Sequence, residues 1–391
     1  MPDPRFMTAP RRVFAGFAIY SFSMGNIFPR LGDVQHAMGI REGALGLGLI
    51  GAPVGTLIAL TFATPLLERI GFRWSLLAGI PLVAFFYAIA VHAPQPWELF
   101  VLLIPVGLMI GCVEIILNVE ADRAEHAAGF RIMNRAHAFW SIGFFAAGLF
   151  GALMAWAGVS PQLHLALVVP LSLAGIALLM RDFQPSAPRP STGEGKAPRF
   201  VAPTWPILVL VGVTLSAMLL EGGSMDWSAI YMRDVFAAGP FMAGMAVAFV
   251  AFFMSLVRYF ADGFVERHSP AGVARVLLAV LGTGCLIVVF SPDPYLALAG
   301  FALIGAGCSV MFPLAMSAAA QRTDRPAALN VAALAQFSFM VFLLAPPLLG
   351  FVAQHFGIRA SFAIALPLVV LSLLTAGAFG TRRGQVPSPV V

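Results

Sequence analysis

The sequence predicts an all-α integral membrane protein whose twelve transmembrane helices form two pseudo-symmetric six-helix bundles. Three observations carry this. Of the 391 residues, 60% are hydrophobic and only 10% charged, with a mean hydropathy of +0.90. A soluble domain carries about 25% charged residues because water must wet its surface. Apolar runs long enough to cross a bilayer, which takes about 20 residues, recur twelve times. The two halves of the chain also repeat one another. An aqueous enzyme, a nucleic-acid binder and a secreted disulfide scaffold are excluded by the first observation alone.

The runs lie at about 13–29, 44–66, 74–92, 98–119, 136–157 and 162–180, then at 204–221, 240–260, 272–290, 295–319, 327–350 and 361–379. Each must be helical, since lipid offers no partner for free backbone groups. The tail Met1 to Arg12 leads into the first run without a small-residue cleavage site, so that span is expected to be retained. Residues 181–203, rich in Pro, Ser, Gly and charge, form the longest polar stretch. They are expected to be a cytoplasmic linker between a first bundle, 1–180, and a second, 204–391. The net charge of +5 is carried by 22 Arg and one Lys that never form a dense run. They read as topology signals. With both termini cytoplasmic, nineteen basic residues fall on the cytoplasmic side and four (Arg30, Arg41, Arg233 and Arg359) on the other.

The repeat is visible at three equivalent places. Gly111-Cys112 on the fourth span recurs as Gly307-Cys308 on the tenth, and Asn134 before the fifth recurs as Asn330 before the eleventh, each 196 residues on. Glu68-Arg69 after the second span recurs 198 residues on as Glu266-Arg267 after the eighth. Duplicated bundles facing one another across a central cavity suit alternating access.

Few polar residues sit inside the runs, and those few are the candidates. On the fourth span Gly107, Gly111, Glu114 and Asn118 share one helix face. The glycines permit close helix packing. A charged group at the bilayer centre costs roughly 3 kcal/mol on insertion scales, so Glu114 either carries a proton or is a structural glutamate bonded to its neighbours. Glu120, off that face, is expected to be structural or gating. On the fifth span His137, Trp140 and Ser141 share a face and combine hydrogen bonding with an aromatic platform, as a polar ligand with an apolar side requires. The seventh span is expected to end at Glu221-Gly222-Gly223, where the glycines loosen it. Glu221 and Trp227 there are candidates for a gate or ligand site, with Asp226 placed nearer the water. Arg30 and Asp33 either pair at the outer mouth or mark the end of the first span, the second being the expectation. The run of glycines 43, 46, 48, 51 and 55 reads as helix packing. Gln336 in the eleventh span is a further candidate cavity residue.

Several chemistries can be searched for and are missing. No HExxH or GxSxG occurs, and Gly195-Lys196 is followed by Ala197 where a phosphate-binding loop needs Ser or Thr. Cys112, Cys285 and Cys308 lie in apolar runs and read as small core residues. No cofactor and no metal are expected, and transport energy is expected to come from a gradient.

These features resemble the major facilitator superfamily over nearly the whole chain. The stretches Thr64 to Arg73 and Arg258 to Arg267 resemble its inter-helix motif, with Thr64 for the usual Gly and Glu68 for the usual Asp. The resemblance implies a cytoplasmic latch of Glu68, Arg69 and Arg73 with Arg258, Asp262, Glu266 and Arg267. Within the superfamily the chain is similar to the fucose-permease-like group of bacterial inner-membrane members. Glu114-Ile-Ile-Leu-Asn118, Asn134 to Gly143, Trp227-Ser228 and Phe312-Pro313 carry that similarity. It implies that the fourth-helix glutamate and a first-helix aspartate serve sugar and proton coupling, but the aspartate's position is Asn26, and an amide cannot cycle a proton. Glu114 alone, or Glu114 with Glu221, is then left to couple, or the protein is not proton-driven. The permease also has Gln and Asn where His137 and Trp140 stand.

The expectation is therefore a secondary transporter of a small polar solute, a sugar or related compound, in the inner membrane, working by proton symport as a monomer. Its substrate site is expected to draw on Asn26, Glu114, Asn118, His137, Trp140, Ser141, Trp227 and Gln336. A proton-antiport exporter of amphipathic compounds and a non-transporting solute receptor are the alternatives.

Overall fold

The computed structural model describes residues 7–130, 132–181, 183–187 and 201–380, except for the side chains of Asp262, Glu266 and Ala328. Among these residues there is no strand. Eleven helices are long and apolar enough to cross a membrane. The remaining span, α1 (Ala9–Gly25), is shorter and continues through a 3-10 turn, Phe28–Arg30, into α2 (Leu31–Met38). The second span is α3 (Glu42–Leu49) with α4 (Gly51–Phe62), followed by the short α5 (Thr64–Ile70). Spans three to six are α6 (Phe72–Ala90), α7 (Pro96–Ala128), α8 (Met133–Trp156) and α9 (Pro161–Leu179). Spans seven to nine are α10 (Trp205–Phe236), α11 (Pro240–Arg267) and α12 (Pro270–Phe290). The tenth is α13 (Pro294–Cys308) with α14 (Met311–Ala320), and the eleventh is α15 (Ala327–Phe356). The twelfth joins α16 (Ile358–Ala363), α17 (Leu366–Thr375) and a 3-10 turn, Ala376–Phe379.

Local signals explain these bounds. Helices α7, α9, α11, α12 and α13 each open on proline, whose missing N–H is not needed in a first turn. Ser160, Ser269 and Asp293 accept hydrogen bonds from the backbone N–H groups that begin α9, α12 and α13. Gly129 ends α7 in the left-handed region that glycine adopts without strain.

Two expected bounds are corrected. The seventh span does not end at Glu221 but runs unbroken to Phe236. Gly222 and Gly223 sit where α15 closes on α10, against Phe342 and Leu349, so their lack of side chains serves packing. The tenth span is interrupted at Ser309 and Val310. Pro313 cannot donate to the carbonyl four residues earlier.

Within the first six spans α7 packs on α4 through Gly51, Gly55, Gly107 and Gly111, where a side chain would run into backbone of the facing helix. The later spans match this at Gly305, against the backbone of Val250 in α11. Two seams join the first six spans to the last six. Along one, α8 lies beside α11, with Gly148 against Ala248 and Gly244 against Ala152. Along the other, α3 lies against the far end of α15, and Gly43 N–H donates to Gln354 at 3.1 Å. Arg233 of α10 also donates to the Gly32 carbonyl and to Gln35, both at 2.7 Å.

All these bonds lie on the face away from the start of α1 and the end of the twelfth span. On the face that carries those ends, α5 packs on its own neighbours α4, α6 and α7. Glu68, Arg69 and Arg73 are exposed there and bond to no described residue. Among the described residues they make no latch contact, and the side chains of Asp262 and Glu266, members of the expected latch, lie outside those described.

Candidate functional site

The polar residues at membrane depth gather into two groups, one on each side of the seam between the sets of spans. In the first, Asn118 Nδ2 donates both to the Glu114 carboxylate at 3.2 Å and to the Glu114 carbonyl at 2.9 Å, one turn back on α7. Tyr20 on α1 lies within charge range of the same carboxylate. Tyr20 itself is buried, whereas Glu114 and Asn118 keep some accessible surface although helices enclose them. We read this partial exposure inside the bundle as the lining of a hollow between the helices.

The second group centres on Arg258 of α11. Its Nη2 lies 3.1 Å from Glu221 of α10, its Nη1 donates to Ser141 Oγ on α8 at 3.0 Å, and its Nε donates to the Ser309 carbonyl at 2.8 Å. That carbonyl is the one Pro313 leaves without a helical donor, so a gap in one helix is filled by a side chain from another. The pair is only 12% and 17% exposed, and the buried Cys308 lies within reach of both charges. Ser141 in turn donates to the His137 carbonyl at 3.2 Å. Arg258 is thus bonded to both sets of spans at once.

Aromatic rings flank these groups. Phe17 stands 5.1 Å from the His137 ring, and Trp140 lies tilted 5.2 Å from Phe144, which also meets Phe28 at 5.1 Å. This gives an apolar wall beside hydrogen-bonding groups, the combination that orients a polar solute with an apolar side.

The structure does not gather every candidate. Asn26 is fully buried; its Nδ2 donates to the Phe22 carbonyl at 2.7 Å and its Oδ1 lies 2.9 Å from His164 Nε2. Trp227 is fully buried against Gly350, away from the hollow. Gln336 accepts from Val201 N–H at 3.1 Å and so ties the end of the linker to α15. Glu120 does the same for the linker's start, accepting from Ser186 N–H at 2.9 Å and Ser186 Oγ at 2.8 Å. Arg267 is exposed at the end of α11, and the side chains of Asp262 and Glu266 lie outside those described. Arg258, counted in the sequence with the loop after the eighth span, lies inside α11, half-buried and committed to Glu221. Arg30 and Asp33 pair at 2.8 Å, so the reading that they merely end the span is corrected. Asp226 is corrected too: it sits in the interior of α10 between buried Met225 and Trp227, within charge range of Tyr87.

Tyr20, Tyr87 and Ser309 were not singled out from the sequence. Tyrosine in an apolar run gives little signal, although Pro313 does point to a free carbonyl at Ser309.

The comparisons with known proteins agree with this geometry. The model of the Major Facilitator Superfamily matches residues 13–340 and 213–390. An uncharacterised MFS-type transporter of Yersinia pestis is 27% identical over 93% of this chain and 92% of its own. An uncharacterised transporter of Sinorhizobium fredii is 28% identical over 92% and 95%. Among solved structures, the nucleoside transporter NupG superposes with a TM-score of 0.71 at 12% identity, covering 95% of this chain and 98% of its own. A D-xylose-proton symporter gives 0.70 at 13% over 95% and 97%. FucP in its outward conformation gives 0.62 at 15% over 95% and 99%. At these identities the structures speak to the fold alone. Family match, fold and helix count agree: the chain belongs to the major facilitator superfamily.

Proposed function

We propose that the protein carries a small polar solute, a sugar or related compound, across the bacterial inner membrane together with protons. In this reading residues 1–180 rock against 204–391 about the hollow, with 181–203 as the cytoplasmic connection and both termini in the cytoplasm. The observation that carries it is the pair of polar groups at membrane depth, Glu114 with Asn118 on α7 and Glu221 with Arg258, which also bonds Ser141 of α8. Solute hydroxyls would bond Glu114, Asn118 and His137 while the ring face rests on Trp140. A proton on Glu114 and the solute would each change the affinity for the other, which is what coupling requires. The sugar and nucleoside carriers among the structural neighbours support a hydroxylated solute, and the D-xylose-proton symporter supports the proton.

The test begins with a thermal-shift screen of the purified protein against sugars, polyols, organic acids and drugs, followed by uptake of the hit in proteoliposomes. Glu114→Gln is expected to abolish accumulation driven by a pH gradient while sparing equilibrium exchange. Unchanged accumulation would overturn the coupling role. The aromatic wall of Phe17, Trp140, Phe144 and Phe28 favours one second reading, export of amphipathic compounds by proton antiport. Solute added to right-side-out vesicles makes the outside alkaline under symport and acidic under antiport.

A further inference from the structure

On the face away from the start of α1, the structure holds a cavity of about 390 Å³ beside the turn from α8 to α9. Its wall includes Arg30 of the 3-10 turn, Asp33 and His36 of α2, Ser160 and Gln162 at the start of α9, and Pro240 at the start of α11. An occupant therefore touches both sets of spans. Pockets for small molecules measure about 300–1,000 Å³, so the space suits a compact solute.

Arg30 sets the chemistry of this wall. Its side chain is only 4% exposed. Among the described residues its Nη2 donates to the Val159 carbonyl at 2.7 Å, while Nη1 has no partner. Nε lies 2.8 Å from Asp33 Oδ2 but outside hydrogen-bonding geometry. Asp33 is 50% exposed, so water weakens its hold on the guanidinium. A guanidinium carries five N–H donors, and burying it is costly unless they are met.

The start of α9 adds a second positive feature. Pro161 opens this 19-residue helix and Ser160 caps it, so the positive end of its dipole lies at the cavity. Unmet guanidinium donors and a helix N-terminus favour the same partner, an oxyanion that accepts several N–H bonds at once. Asp33 is the one carboxylate on the wall among the described residues.

We propose that this cavity binds an oxyanion, a carboxylate or a phosphate, with Arg30 as its anchor and Asp33 as the carboxylate the ligand displaces. A free organic acid or phosphate supplies that chemistry, and so does the phosphate of a lipid head group. None of Glu114, Asn118, Glu221 and Arg258 lines the cavity, so the site is separate from the solute's hollow. It goes beyond the transport reading and stands or falls without it.

The purified full-length protein in detergent is titrated calorimetrically with inorganic phosphate and with succinate, sodium chloride holding the ionic strength constant. In a second arm, phosphatidylglycerol and phosphatidylcholine are added to the micelles and the melting temperature is followed. Heat of binding in the first arm assigns the site to a free anion. Stabilisation by phosphatidylglycerol beyond that by phosphatidylcholine assigns it to a lipid head group. In the responding arm Asp33→Asn is expected to tighten binding roughly fivefold by removing the competing charge, a gain that damage to the fold does not mimic. Ala37→Trp, which fills the cavity from the exposed side of α2, is expected to abolish binding, as is Arg30→Gln. If Arg30→Gln does not fold, the other two variants carry the test. Silence in both arms, binding that Asp33→Asn fails to tighten, or binding that Ala37→Trp leaves unchanged overturns the proposal.

Discussion

Arg258 shows how much one side chain decides at membrane depth. Its three bonded groups come from α8, α10 and the break in the tenth span, so moving any one of them alters the rest. Breaking an enclosed ion pair from one side leaves a bare charge, which costs about 3–5 kcal/mol. Glu221→Gln and Arg258→Gln are each expected to lower the melting temperature, and the double variant to recover most of the loss. A double-mutant cycle on thermal unfolding measures this; strictly additive losses would show that the two charges do not stabilise one another. From the sequence, Glu114 and Asn118 were legible because a four-residue spacing on a helix fixes a shared face. The partnership of Glu221 with Arg258 was not, since 37 residues and a turn separate them.

At the scale of the element, glycine and proline set the architecture. Gly107 on α7 lies against the backbone of Ala52 and Thr56 on α4, with no room for a methyl group. Gly107→Ala is expected to cost about 1–3 kcal/mol by overpacking. A lower melting temperature of the purified protein checks it, whereas Gly212→Ala, in open space, is expected to leave stability within about 1 kcal/mol through helix propensity. The helix spans were legible because hydropathy and proline marked their starts. The reach of α10 past Gly222-Gly223 was not, because a glycine pair reads as a weak point until the facing Phe342 and Leu349 are known.

At the scale of the molecule, hydrogen bonds on the face away from the start of α1 tie the two sets of spans together. Gly43 and Gln354 hold the tied face. A Gly43→Cys, Gln354→Cys pair joined by a short crosslinker is expected to stop uptake while leaving the hollow reachable from the side that carries the linker. Labelling of Trp140→Cys by a membrane-impermeant maleimide, from inside-out but not right-side-out vesicles, checks both points and the proposed orientation. Labelling only from the opposite side would reverse the assignment.

Composition and hydropathy by themselves determined that this chain lives in lipid, that its spans are helices and where most of them begin. These follow from local rules, because a bilayer leaves the backbone no other way to satisfy its hydrogen bonds. The repeat at nearly constant offset further pointed to duplicated six-helix bundles. Only the tertiary structure decided which scarce polar groups meet. It put Asn26 on His164, Trp227 in the core and Arg258 on Glu221. A spacing rule reads along one helix face. The partners of a membrane-depth charge come from other helices, and their meeting depends on how the whole bundle packs.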